Sequence, residues 1–196
     1  TNFDALREDS YNSDRSDPDQ ACAMQTNPQG VKLYSFYQAL LNLLFNMAIE
    51  IEIQFASRRV KLPKNWIHKA VESIASDYGW KDGEISITIA DDAQIHEVNR
   101  QYLKHDYPTD VISFDTTESD DYLEGVIIAS ADTAFEVASK NQWPASHELL
   151  LYIIHGMLHV IGLDDTTLAK SKQMRNEERH YIEAILGASD VCSEAR

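Results

Sequence analysis

"LLYIIHGMLHVIGLDD" (residues 150–165) places two histidines, His155 and His159, four positions apart in an apolar run that stops at a glycine and two aspartates. Positions four apart on an α-helix share a face, so helical folding would aim both imidazoles at one point. Gly162, three residues past His159, suits a helix end, because glycine enters the left-handed conformation without strain. A reversal there can bring Asp165 back toward the same point. His-x3-His with a third nitrogen or oxygen donor is the arrangement that holds a catalytic zinc, its fourth position left to water. Histidines in an apolar helix can also be core residues bonded to backbone carbonyls. Two at ligand spacing, with a carboxylate on the following turn, favour a metal.

The flanking sequence supplies a layered setting. Before this helix, which is entered through Pro144, residues 131–142 read as another helix. "GVIIAS" (residues 125–130) reads as a strand too apolar to face water on either side. "YPTDVISFDT" (residues 107–116) is extended after Pro108, with Val111, Ile112 and Phe114 expected to be buried. Upstream, Asp91 or Asp92 caps a helix running to about residue 103, apolar at Ile95, Val98 and Tyr102. "ISITIAD" (residues 85–91) alternates as a strand, and Pro63 sets up a helix over residues 64–78. "AIEIEIQF" (residues 48–55) sets Ile49, Ile51, Ile53 and Phe55 against Glu50, Glu52 and Gln54, the pattern of a half-buried strand. After the histidine helix, residues 167–186 form a last helix with apolar points at Leu168, Met174, Tyr181, Ile182 and Ile185. The order β-α-β-α-β-β-α-α-α implies an α+β (α/β layered) domain: one mixed sheet of about four strands covered by about five helices.

Residues 1–30 are rich in Asp, Ser, Asn and Gln, a composition expected to remain disordered. A short apolar segment near residues 34–46 can form an amphipathic helix. The alternative is that 1–46 is a non-native extension and the native domain begins at Met47; either way, 47–196 is expected to be a single domain. Of 196 residues, 43% are hydrophobic, enough for one core. Cys22 and Cys192 are the two cysteines, which suggests no disulfide framework and fits a cytoplasmic setting. No apolar run approaches the roughly 20 residues of a bilayer span, so no membrane association is expected. A formal charge of −15 opposes wholesale nucleic-acid binding and argues against a DNA partner. Any nucleic-acid role must rest on a local basic patch or a metal.

Zinc proteases carry His-Glu-x-x-His, in which the glutamate after the first histidine is the general base. Here that position is Gly156, which makes protease or another hydrolase the alternative reading. "HGMLHVIGLDD" (residues 155–165) resembles instead the His-Gly-x-Leu-His-Leu-x-Gly-Tyr-Asp-His signature of the YbeY family of endoribonucleases and ribosomal-RNA maturation factors. "NRQYLKHDYPTDVISF" (residues 99–114) is similar to that family's Asn-x-x-Tyr-Arg-x-x-Asp-x-Pro-Thr-Asp-Val-Leu-Ser-Phe block. "GVIIAS" stands where the family has a Gly-Asp-x-x-Ile strand, and "MRNEERHYIEAIL" (residues 174–186) where it has a closing Met-x-x-x-Glu helix. The resemblance covers roughly residues 47–187.

The resemblance implies a zinc-dependent endoribonuclease specific for single-stranded RNA, with one Zn2+ per chain. It implies action in 3′-end maturation of small-subunit rRNA and in ribosome quality control. Its partners would be single-stranded RNA and the small ribosomal subunit. A third class, a non-catalytic ribosome-assembly factor with a structural metal, stays open. The family's third histidine falls on Asp165, so the implied ligands are His155, His159 and Asp165, with Asp164 in a capping or outer role. Chemistry would be carried by water in the open fourth position, with no protein base identified. Leu103 replaces a family arginine, and Arg100, Lys104 and His105 are the neighbouring groups available in its place. The expected RNA-binding set is Arg58, Arg59, Arg100, Lys104, Asp106, Thr109 and Ser113, with Lys61 also near the groove. Arg175 is equally readable as a surface ion-pairing residue.

Overall fold

The structure, a computed structural model, describes residues 48–187. They fall within one compact unit, Met47–Arg196. The expectations for residues 1–46 lie outside the described residues. Among the described residues there are four strands: β1 (Ile49–Phe55), β2 (Gly83–Ala90), β3 (Val111–Asp115) and β4 (Leu123–Ser130). Five α-helices accompany them: α1 (Lys64–Asp77), α2 (Asp92–Val98), α3 (Ala131–Asn141), α4 (Ala145–Val160) and α5 (Leu168–Leu186). The α+β expectation is met. The sheet has the order β1-β2-β4-β3, with β1, β2 and β4 parallel and β3 antiparallel on the edge beside β4.

One face of this sheet is sealed by helices. Ile85, Ile87 and Ile89 of β2 and Leu123, Ile127 and Ala129 of β4 are fully buried there. The opposite face is only half covered, which corrects the expectation for β4: Val126 and Ile128 are partly exposed. Ile112 is buried, but Val111 and Phe114 are half-buried. An edge strand is covered on one flank only, so its apolar side chains keep some contact with water.

Helix α4 is the centre of the molecule and packs against β3, β4, α1, α3 and α5. Leu149, Leu150, Ile153, Ile154, Met157 and Leu158 have no exposure, and each contributes about 1.5–3 kcal/mol of burial. From Glu148 to Val160 every residue is buried except Leu151, His155 and His159. That four-residue spacing is one stripe of the helix. The stripe is where α4 meets open space.

Two further differences concern helix phase. The expected helix to residue 103 ends as α-helix at Val98 and continues as a π-turn over Asn99–Leu103. The wider turn breaks the 3.6-residue phase that would align Tyr102 with Ile95. Ile95 is buried, whereas Tyr102 is 67% exposed. Leu168 is 90% exposed. It lies six residues before buried Met174, roughly 240° around the helix and so away from the core face.

Candidate metal centre

His155 and His159 leave α4 with their Nε2 atoms 3.0 Å apart. Their other ring nitrogens are both engaged. Nδ1 of His155 lies 2.6 Å from Oε1 of Glu178, and Nδ1 of His159 lies 2.9 Å from the Leu163 carbonyl oxygen. A carboxylate and a carbonyl only accept hydrogen bonds, so each Nδ1 carries its proton as donor. In the neutral rings, both Nε2 lone pairs then point at one another across 3.0 Å. That contact is repulsive unless a metal cation or a proton lies between them.

The Asp165 carboxylate completes the group: its donor atom and those of the two histidines lie within 4.8 Å of one another. Two imidazoles with Nδ1 fixed by outer partners, and one exposed carboxylate, suit a divalent ion of the zinc type. The residues fit the ion that the sequence implies. Among the described residues no other cluster of histidine, cysteine or acidic groups meets the same spacing.

Local folding explains each position. Gly162 takes φ +96° and closes α4, so the chain turns back over His159 and offers the Leu163 carbonyl to it. Asp164 is not part of the group. It accepts from the Thr166 backbone and hydroxyl and pairs with Lys170. Lys170, then Thr166, holds its carboxyl down at about 2. Asp164 thus fastens the turn that leads into α5, and Asp165 is left beside the imidazoles.

Gly156 has a packing explanation. A Cβ there would stand 2.9 Å from Cγ2 of Ile127 and 3.2 Å from Cγ2 of Val111. The position faces the sheet, one residue round from His155. A glutamate in its place would drive into β4, not toward the ion. Burial disfavours the charged form of His155, but the Glu178 hydrogen bond and charge, with Asp110 and Asp165 nearby, outweigh it and raise its pKa above the ordinary histidine value.

Two cavities meet at His155. The smaller, of about 130 Å³, is lined by His155, Asp165, Asp110, Ser171, Arg175 and Glu178 among others. The larger, of about 340 Å³, is lined by His155, His159, Asp110, Ser113, Asp115 and Leu103 among others. Asp110 is common to both. Its Oδ1 accepts from the Thr109 hydroxyl and the Val111 N–H, each at 2.9 Å.

Of the expected RNA-binding set, Ser113 lines a cavity and Thr109 supports Asp110 from behind. The others do not line either cavity. Arg59 lies beside Asp132 and over the Phe135 ring, Arg100 pairs with Glu97, and Asp106 pairs with His96 at 2.9 Å. Arg58 is exposed, and Lys104 sits in the left-handed turn that ends the π-segment. Glu178, Asp110 and Arg175 are the site residues that sequence reasoning did not single out for roles. Glu178 was detectable as the last residue of Met174-x-x-x-Glu178, and Asp110 within Pro108-Thr109-Asp110.

These features define a class: an α+β protein with a candidate single-metal centre of two histidines and one carboxylate, open to two cavities. The family model for endoribonuclease YbeY matches residues 48–186, and the chain belongs to that family. It is 44% identical over 112 residues to the endoribonuclease YbeY of Rhodopirellula baltica, covering 56% of this chain and 58% of that one. It is 38% identical over 135 residues to the Parabacteroides distasonis protein of the same name, covering 69% of this chain and 91% of the relative. The solution structure of TM1509 from Thermotoga maritima superposes with a TM-score of 0.52 at 25% identity, over 74% of this chain and 99% of that one.

Proposed function

We propose that this chain is a metal-dependent endoribonuclease that cuts single-stranded RNA. Zinc is the ion and the cytoplasm the setting, and the substrate is the 3′ region of small-subunit ribosomal RNA during maturation and quality control. Family membership supports the reaction class, since the curated relatives are named as endoribonucleases. The single observation that carries the metal is the pair of Nε2 atoms facing one another at 3.0 Å with both Nδ1 atoms committed elsewhere.

Held by His155, His159 and Asp165, the ion would supply Lewis-acid polarisation of a phosphoryl oxygen. The chain's own groups do the rest. Glu178 keeps His155 in the tautomer that offers Nε2, and the Leu163 carbonyl does the same for His159. Arg175 is the cation lining the smaller cavity and attracts phosphate. Asp110 is the carboxylate between the two cavities, and this reading assigns it as the group that takes a proton at its side-chain oxygen. The Ser113 hydroxyl lines the larger cavity and can donate to a phosphate oxygen.

Gly156 counts against the protease reading, because the position of that family's base is packed against Ile127. Openness to two cavities counts against a purely structural metal, since structural zinc sites are closed by four protein ligands.

The test is a metal-loaded full chain incubated with a labelled single-stranded RNA, the same RNA as duplex, and unfolded casein. Cleavage of the single strand alone, lost in His155→Ala and Asp165→Ala, is the expected result. Casein digestion that vanishes with His155→Ala would transfer the site to the alternative.

A further inference from the structure

The segment between α2 and β3 exposes more aromatic and aliphatic surface than a solvated loop needs. Tyr102 is 67% exposed, Tyr107 55% and Leu103 44%. His105 stacks on Tyr107 with ring centroids 5.4 Å apart and planes within 10°. Tyr102 is braced against Phe114 of β3, with centroids 5.9 Å apart. Such a cluster costs solvation unless something covers it.

The segment is held in place. Asn99 is buried, its Nδ2 donates to the Tyr107 carbonyl at 2.7 Å, and its own carbonyl accepts from the His105 N–H at 3.3 Å. Lys104 makes the reversal between them with φ 59°. The π-turn is itself a departure of the kind that recurs at functional positions. Asn99 also keeps a buried Oδ1 without a hydrogen-bond partner among the described residues. Such a cost is retained where the geometry it secures matters. The backbone that carries the rings is therefore tied at Asn99, and a ligand stacking on them loses less entropy in ordering the loop.

The surface is continuous with the metal centre. Leu103 lines the larger cavity together with His155 and His159. Phe114, which braces Tyr102, is the strand neighbour of Ser113, another lining residue. The segment thus touches β3 through Tyr102 and reaches the histidines' cavity through Leu103.

We propose that Tyr102, Leu103, His105 and Tyr107 form a base-stacking wall that takes the unpaired bases of single-stranded RNA beside the cleavage centre. The proposal rests on the endoribonuclease reading above and supplies a source for its single-strand preference. A duplex hides its base faces, whereas a single strand can splay bases onto aromatic rings. Charge gives a second reason. A chain of net charge −15 repels phosphate, so a contribution that does not depend on phosphate attraction adds to what Arg175 and the metal supply locally. Stacking is that contribution. Lys104, on the same segment, favours the backbone locally.

The experiment measures binding by fluorescence anisotropy in the full chain carrying His159→Ala, so that the strand is bound and not cut. The probes are a labelled oligouridine, an abasic ribose-phosphate strand of the same length, and an RNA duplex. Tyr102→Ala and Tyr107→Ala should each weaken oligouridine binding by roughly 5- to 150-fold, the effect of losing one base–aromatic stack. Affinity for the abasic strand should not change, and Tyr102→Phe and Tyr107→Phe should retain parental affinity. The proposal is overturned if the alanine variants bind oligouridine as the parent does, if both strands are lost equally, or if the parent binds no RNA. Failure of the underlying reading looks different: a metal-loaded wild-type chain that binds oligouridine through the two tyrosines and does not cut it.

Discussion

Gly156 sacrifices about 1 kcal/mol of helix propensity relative to alanine so that α4 can lie against Ile127 and Val111. Gly156→Ala regains the propensity but forces a methyl against a β-branched side chain, and overpacking of that kind costs about 1–3 kcal/mol. A net loss of roughly 1 kcal/mol is expected by urea denaturation; a stabilised variant would mean that the close approach is not required. Glu178 poses a different residue-scale test. It fixes His155 through Nδ1 at 2.6 Å, so Glu178→Ala should weaken zinc binding about 10- to 100-fold, the cost of losing an outer partner. Unchanged affinity would show that the carboxylate only packs α5 against α4. The two histidines, Gly162 and Asp165 were legible because their relation is local: helical spacing followed by one turn. Glu178 and Asp110 reach the same point from α5 and from the start of β3, and periodicity within either segment says nothing about that convergence.

At the scale of elements, boundaries followed from alternation and caps. Asp91 accepts from the Gln94 N–H while the Gln94 side chain accepts from the Asp91 N–H, a reciprocal cap that the sequence announces. The π-turn was not legible. It is accompanied by a contact from the Asn99 amide to the Tyr107 carbonyl, between a helix residue and a loop eight positions later. Leu168 misled for a related reason, since an apolar residue in the first turn of α5 says nothing about phase until the core face is known. Asn99→Ala removes the donor to the Tyr107 carbonyl and should cost roughly 1 kcal/mol. Proteolysis within residues 102–108 should accelerate in that variant. If stability and cleavage rate both match wild type, the loop is held by something other than Asn99.

For the whole molecule, the class α+β followed from element order, but the strand order β1-β2-β4-β3 did not. Nothing local tells β3 to pair antiparallel with β4 and leave its other edge free. That arrangement sets Asp110, Val111 and Ser113 around the cavity that His155 and His159 also line. The dispersed basic residues Arg58, Arg59, Arg100 and Lys104 were read as a groove from their charge alone. They lie on two segments, the connection after β1 and the π-turn with its cap, and two of them are engaged by Asp132 and Glu97. The two cavities converge on His155 and Asp110, beside three side chains, His155, His159 and Asp165, whose spacing could hold one ion. Zinc affinity, measured by competition with a chromogenic chelator for the wild type, Asp164→Ala, Asp165→Ala and Asp165→His, tests that grouping directly. One equivalent per chain is expected for the wild type. Asp164→Ala should keep it, Asp165→Ala should lose far more than the ~100-fold of an outer partner, and Asp165→His should bind at least as tightly as wild type. Loss of the metal in Asp164→Ala with retention in Asp165→Ala would contradict the assignment of the centre.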